Sequence, residues 1–212
     1  HDLRTPLTSI SGNAGVLMEK SILLDESKKQ EIYSSIYDDS MWLVNLTENL
    51  LSITRIENGT MHLQMNAELI DDVFREAVSH VDRKASEHEI SVELADDLLM
   101  AKMDVRLIVQ VIINIVNNAI KYTPPGGSIY LSVREFELFC AVEVADNGPG
   151  IPEAEQGAVF NRFYRGKAVR EQEGLGIGLY LTREILSRQG GYVKLSSKPG
   201  QGCRFSLYLP KE

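Results

Sequence analysis

Apolar and polar residues change rhythm once along this chain, near position 58. Before that point Leu3, Leu7, Ile10, Ala14 and Leu17 step by four, three, four and three, the seam of a heptad helix. The run LLDESKKQ then breaks the pattern, and Asp25 or Ser27 is suited to cap a second helix. Ile32, Ile36, Leu43, Leu46, Leu50 and Ile53 keep the same spacing, with Asp39 in the one polar slot. Gly59 follows RIEN and suits a helix C-terminus. The pattern predicts a helical hairpin over residues 1–58. Two narrow apolar stripes make a thin core, so the hairpin is expected to pair with a second copy as a dimeric four-helix bundle.

Beyond Gly59 the period shortens. MHLQMN, EISVEL, SIYLSVRE, LFCAVEVAD, GYVKLSS and CRFSLYLP alternate or run apolar and read as strands. Helices are expected near 69–85, 104–121 and 176–189. Strands mixed with helices predict an α+β two-layer sandwich over residues 59–212, its sheet covered on one face.

Composition narrows the classes. The chain has 212 residues, 43% hydrophobic and 25% charged, enough to bury a core. A net charge of −8 excludes a general affinity for nucleic acid or for an anionic membrane, so a polyanionic ligand needs a local basic cluster. The longest apolar run, LIVQVIINIV at 107–116, is too short to span a bilayer, and no signal peptide is visible. A chain opening on His1 without Met is nonetheless expected to be a piece of a longer, membrane-anchored protein. Cys140 and Cys203 lie in apolar alternating stretches and read as reduced core residues; no metal-cage spacing occurs.

The opening HDLRTPL places His1 on a helix face away from Leu3 and Leu7, with Thr5 four residues on sharing that face. Pro6 cannot donate to the carbonyl of Asp2, which loosens the helix beside the histidine. Asp2 can bias the imidazole tautomer and raise the basicity of its other nitrogen. Two readings stand at this point: a polarised nucleophile, or a solvated histidine at a helix start.

Three later stretches carry candidate chemistry. In NIVNNAIKYTPPGG, Asn114, Asn118 and Lys121 lie within about 60° of one another on a helix. Val105, Ile108, Ile112, Val116 and Ala119 take the opposite, core face. Asn costs a helix about 0.7 kcal/mol relative to Ala, so three of them, with Asn117, suggest a working face rather than a merely solvated one. An amide oxygen can ligate Mg²⁺ and Lys121 can meet phosphate. In VEVADNGPGI a strand ends at Asp146, whose carboxylate can accept from an exocyclic amine, and Gly148 and Gly150 allow close backbone approach; the alternative is a plain hairpin turn. In VFNRFYRGKAVREQEGLGIGLYL, Phe160, Phe163 and Tyr164 are apolar anchors, and Arg162, Arg165, Lys167 and Arg170 form the basic cluster. Gly174, Gly176 and Gly178 lead into a helix whose N-terminus suits phosphate. The long segment before them has the character of a mobile lid. There is no Walker A loop and no eukaryotic-type kinase motif set.

HDLRTPL, NIVNNAIKYTP, DNGPGI, FNRFYRG and GLGIGL stand in the order in which their counterparts occur in bacterial two-component sensor histidine kinases, and the whole chain resembles the transmitter core of that family. The resemblance implies a dimerisation and phosphotransfer domain at 1–58 and an ATP-binding domain of the Bergerat (GHKL) fold at 59–212. It implies that His1 accepts the γ-phosphoryl group of ATP, that Asp2 assists as general base, and that Thr5 orients water in dephosphorylation. Asn114 would hold Mg²⁺; Asn118, Lys121 and Tyr122 would contact nucleotide. Asp146 would read adenine, with Gly148 and Gly150 shaping its pocket. Arg165 would reach the terminal phosphate, and Gly174, Gly176 and Gly178 would line the phosphates. The implied partners are a second copy through residues 1–58 and the receiver domain of a response regulator, with no nucleic acid and no direct membrane contact by these residues. The implied location is the cytoplasmic portion of a membrane-anchored bacterial protein. One departure is visible: Cys203 stands where Thr is common in the family. On its first box the chain is most similar to the KdpD-type sensors. An ATPase of the same superfamily that does not phosphorylate itself needs a carboxylate to activate water, and Asn114 has no Glu at the comparable position. A dimeric scaffold without autokinase activity is the remaining alternative.

Overall fold

The computed structural model describes residues 3–20, 23–81, 83–94, 98–166 and 174–212. The chain divides into two compact units, His1–Met61 and His62–Glu212.

The first unit is a hairpin of α1 (Arg4–Lys20) and α2 (Glu26–Glu57). Asp25 is the N-cap of α2, its side chain accepting from the Lys28 amide at 2.8 Å. Gly59 ends the helix with φ 66°, and the bonds Gly59 N to Ile56 O (3.2 Å) and Thr60 N to Arg55 O (2.9 Å) close a Schellman turn. Ile10, Ala14 and Leu17 are half-buried along the hairpin, as are Ile32, Ile36 and Leu43, and Asn13 Nδ2 donates to Ser35 Oγ at 3.0 Å.

Pro6 stands in the first turn of α1 as described from Arg4, and the Asp2 carbonyl to which it cannot donate lies outside the described residues. Two details differ from the sequence reading. Leu3 and Leu7 do not fill the seam; they are 45% and 52% exposed and line an open groove with Arg4, Thr8 and Ser11. A second apolar stripe on α2, Tyr33, Tyr37, Met41, Val44 and Leu51, lies about 100° round from the first and is also exposed. The seam residue Asp39 carries a buried Oδ2 without a hydrogen-bond partner among the described residues.

The second unit is a two-layer sandwich. A small antiparallel pair, β1 (Asn66–Leu69) and β3 (Met100–Met103), stands beside a five-stranded sheet of order β2-β4-β5-β7-β6. The sheet strands are β2 (Glu89–Glu93), β4 (Ser128–Glu135), β5 (Phe139–Asp146), β6 (Tyr192–Ser197) and β7 (Cys203–Pro210). Only β2 and β4 run parallel; the other neighbours are antiparallel. Helices α3 (Ile70–Ser79), α4 (Val105–Tyr122) and α6 (Gly178–Arg188) bury Phe74, Ile112, Ile115, Leu181 and Ile185 with the inward residues Leu131, Val142, Val144 and Leu207. A single turn, α5, spans Glu153–Gln156.

The other sheet face carries its own cover. Glu143, 7% exposed, accepts from Arg204 at 3.0 Å and Ser206 at 3.0 Å and pairs with Arg134 at 3.2 Å. Beside them Tyr192 stacks on Tyr208 at 4.4 Å, with Lys194 over both rings. The first strand forms at Asn66–Leu69 rather than at MHLQMN, and β3 stands where the alternation expected no strand. The expected 69–85 helix stops at Ser79 and a 3-10 turn follows at Arg83–Glu87.

Nothing lies within 4 Å of a Cβ placed on Gly59, so Gly59→Ala tests backbone strain alone. It is expected to lower the stability of the helical unit by about 1 kcal/mol. The urea midpoint followed by circular dichroism reads this, with Gly59→Asn falling between the two.

Candidate functional site

The second unit brings three separated stretches together at one end of its sheet. Strand β5 ends at Asp146, opposite Ile129 of β4. One carboxylate oxygen, Oδ1, accepts from Gly148 N at 2.9 Å and from Cys203 N at 3.2 Å. The other makes no hydrogen bond among the described residues and remains available to a donor. Burial pushes the Asp146 carboxyl above the usual carboxylate range, and the two amide donors pull against that rise.

Glycines let the backbones close on this carboxylate. A Cβ on Gly148 would lie 2.9 Å from Asp146 Oδ1 and 3.1 Å from the carbonyl of Tyr122, so the strand end and the end of α4 meet there. A Cβ on Gly150 (φ 70°) would overlap the Lys198 carbonyl, and one on Gly202 (φ 79°) the Asp146 carbonyl. Ser197 rivets the same loops: its Oγ accepts from Ile151 N at 2.8 Å and donates to Gly202 O at 2.7 Å. Gln156 Nε2 adds bonds to the carbonyls of Ile151 and Ser197, each 2.9 Å. Sequence reasoning missed Ser197 and Gln156: Ser197 closes the alternating stretch GYVKLSS, and nothing in either residue's setting marks it as a link between loops.

Helix α4 supplies the second stretch. Ile108, Ile112, Val116 and Ala119 are buried as expected, and Asn114 and Asn118 are half-buried on the other side. The Asn114 side chain lies against the first residue of α6, 3.8 Å from a Cβ position on Gly178, and its Nδ2 is buried without a hydrogen-bond partner among the described residues. Amide oxygen and nitrogen are interchangeable at this position, so one hydrogen-bonding atom of Asn114, of either kind, is open to a ligand. Lys121 Nζ is 5.2 Å from the Tyr122 ring centre and 3.1 Å from a Cβ position on Gly174. Burial raises the Tyr122 hydroxyl, and the Arg165 charge opposes this, which places Arg165 near the end of α4.

The third stretch is the glycine turn. Gly174, Gly176 and Gly178 precede and open α6, and a Cβ on Gly176 (φ 67°) would overlap the Tyr164 carbonyl. Phe160 packs edge-on against Phe205 at 6.4 Å. Phe163 is not an anchor: it is 54% exposed, has φ 62°, and holds the Arg162 guanidinium 4.6 Å over its ring.

Thr5 is exposed in the first turn of α1. His1 and Asp2 lie outside the described residues, as do Lys167 and Arg170. Cys203 is half-buried against Ser197, Sγ to Oγ 3.3 Å. Burial raises its thiol above the usual range, the Ser197 bond lowers it and the Asp146 charge raises it further, so the thiolate that would react is scarce at neutral pH.

Residues 103–212 match the family described as histidine kinase-, DNA gyrase B- and HSP90-like ATPases, and residues 1–59 match the His Kinase A phospho-acceptor domain. Together they define the class: a helical hairpin carrying a phospho-acceptor box, followed by a Bergerat-type sandwich. Among curated proteins, the sensor protein KdpD of Clostridium acetobutylicum is 37% identical over all of this chain, which spans 24% of that relative. The alginate biosynthesis sensor protein KinB of Pseudomonas aeruginosa is 32% identical over 99% of this chain, which spans 35% of it. Among solved structures, the catalytic domain of the histidine kinase ThkA is 26% identical with a TM-score of 0.62, covering 70% of this chain and 98% of that one. The fold of the Acinetobacter baumannii histidine kinase AdeS superposes over 99% of this chain and 97% of that one, TM-score 0.70, at 22% identity. The chain belongs to the sensor histidine kinase family, and its likeness to KdpD-type sensors holds over its full length.

Because burial raises the folded-state pKa of Asp146, its ionisation opposes folding. The carboxyl's stabilising contribution is complete below its unfolded value of about 4 and is lost as pH rises through the raised folded value. Asp146→Asn keeps an acceptor for both amides and removes that loss. The variant is expected to match the parent in thermal stability near the acid end and to exceed it at pH 7. An advantage that shrinks with rising pH overturns the assignment.

Proposed function

We propose that this chain is the transmitter core of a sensor kinase that uses ATP to phosphorylate His1 and passes the phosphoryl group to an aspartate of a response regulator. The reading rests on one observation above all. Residues 114–122, 146–150 and 174–178, far apart in sequence, converge on the ends of α4, β5 and α6. The open oxygen of Asp146 suits the exocyclic amine of adenine. Asn118, Lys121, Tyr122, Arg165 and the turn of Gly174, Gly176 and Gly178 suit the sugar and phosphates. Residues 1–58 serve as the dimerisation and phosphotransfer domain, and 59–212 as the catalytic domain.

Phosphoryl transfer needs in-line positioning and charge neutralisation more than covalent help. Nε2 of His1 attacks the γ-phosphorus as the bond to the β–γ bridging oxygen breaks, ADP leaves, and Asp2 favours loss of the imidazole proton. Asn114 fits Mg²⁺: it offers one unpartnered amide atom, and Mg²⁺ is held by few protein oxygens plus phosphates and water. The ion would add positive charge at the phosphates. No group of three or more His, Cys, Asp or Glu side chains that could hold a metal alone occurs among the described residues. Lys121 and Arg165 carry the protein's own share of that neutralisation.

The chain acts as a homodimer. The exposed stripe Tyr33, Tyr37, Met41, Val44 and Leu51, with Leu3 just before α1 and Leu7 on it, is an apolar surface that a second hairpin would bury. The histidine kinase ThkA, 24% identical to this chain with a TM-score of 0.65, has been solved in complex with the response regulator TrrA; for this chain a receiver domain would dock on the exposed face that carries Thr5, next to His1 in sequence. No helix among the described residues is long and apolar enough to cross a membrane, and the core belongs at the cytoplasmic end of a longer, membrane-anchored sensor.

Incubation with γ-labelled ATP and Mg²⁺, beside a His1→Gln control, tests the reading. The expected label is stable to base, labile to acid and absent from the control; ATP binding without label overturns the autokinase assignment. Thr5→Ala is expected to weaken dephosphorylation of the regulator more than autophosphorylation, and equal loss of both removes Thr5 from that role.

A further inference from the structure

In the autokinase reading the acceptor histidine and the nucleotide belong to different units, and the chain joining those units is short. Thr60 is the last amide tied to α2, through Arg55 O at 2.9 Å. The next amide held is Gln64, whose N–H donates to Asp104 Oδ2 at 2.9 Å. Met61, His62 and Leu63 make no backbone hydrogen bond among the described residues. The untied span is therefore three residues long.

Asp104 is an unusual end-point. It stands at the N-cap of α4, where an Asp side chain ordinarily accepts from the helix's own first-turn amides, yet it makes no such bond. Its carboxylate is turned instead to Gln64 and, at 3.5 Å, to Arg106. It is 1% exposed, and its own amide donates to Gln189 Oε1 at 2.7 Å, which fixes it to the end of α6. A charged, buried acceptor makes a stronger bond than a neutral one. The bond thus fastens the joining chain to the helix that carries Asn114, Asn118 and Lys121.

We propose that Asp104 is a positioning residue for phosphoryl transfer: by holding the Gln64 amide it sets where the joining chain stops and the catalytic unit begins to turn as one body. This rests on the autokinase reading above. Freed of the bond, the joining span lengthens toward β1, and the bound nucleotide is presented to His1 over a wider range of positions.

Gln64 has an exposed side chain, so Gln64→Pro deletes the one donor and Gln64→Ala retains it. With the full chain, γ-labelled ATP and Mg²⁺, Gln64→Pro is expected to lower kcat for autophosphorylation by about 5- to 10-fold, since small misplacements of reacting groups are costly. KM for ATP should stay within about two-fold. Gln64→Ala, which retains the amide donor, should keep the parent kcat. An unchanged kcat in Gln64→Pro overturns the inference alone. So does a joint fall in kcat, ATP affinity and thermal stability, which would make the bond a support of the fold, and so does an equal effect in Gln64→Ala. Absence of phosphohistidine in the parent chain overturns the autokinase reading, and this inference with it.

Discussion

One carboxylate oxygen organises the working end of the second unit. Asp146 Oδ1 takes the amides of Gly148 and Cys203 together. It thereby pins the turn after β5 to the start of β7 and leaves the second oxygen without a hydrogen bond among the described residues. A buried carboxylate is costly unless it is hydrogen-bonded, and two backbone donors meet part of that cost without filling the space a ligand needs. The glycines follow from this geometry. With the strand end drawn onto the Tyr122 carbonyl and the 202 turn drawn onto the Asp146 carbonyl, no Cβ fits at Gly148, Gly150 or Gly202.

The helix side obeys the complementary constraint. Helix α4 buries Ile108, Ile112, Ile115 and Ala119, and this fixes its rotation. Rotation in turn fixes Asn114 against the start of α6 and Lys121 beside Gly174. The asparagines, poor helix formers, are kept in place by the apolar stripe behind them. Core packing on one face of α4 therefore sets the positions of the polar groups on the other.

Much of this was legible in the sequence where one period held without interruption. Strands β4 and β7 fall on SIYLSVRE and CRFSLYLP, and α4 covers the expected span within a residue or two. Legibility failed where a second rule intervened. Strand β3 is short, paired with β1 and by a single bridge from Ala101 to Lys211, and four residues of MAKM give no usable alternation. The exposed stripe on α2 was hidden because a single chain gives its apolar residues nothing to face. Phe163 was read as an anchor from its chemistry, whereas its backbone turns it outward. At the site, the glycines and acids announced themselves. Ser197 and Gln156 act through backbone atoms brought together only by the fold.

The uncovered face of the sheet has a consequence for how such domains are reused. Glu143 finds Arg134, Arg204 and Ser206 on neighbouring strands, and Tyr192, Tyr208 and Lys194 shield one another. Charge and aromatic surface are thus balanced between neighbouring strands of one layer. A module finished in this way can be joined to a different helical hairpin without redesign of its back. Recombination then has only the joining chain and the acceptor helix to retune, which makes the domain a portable part.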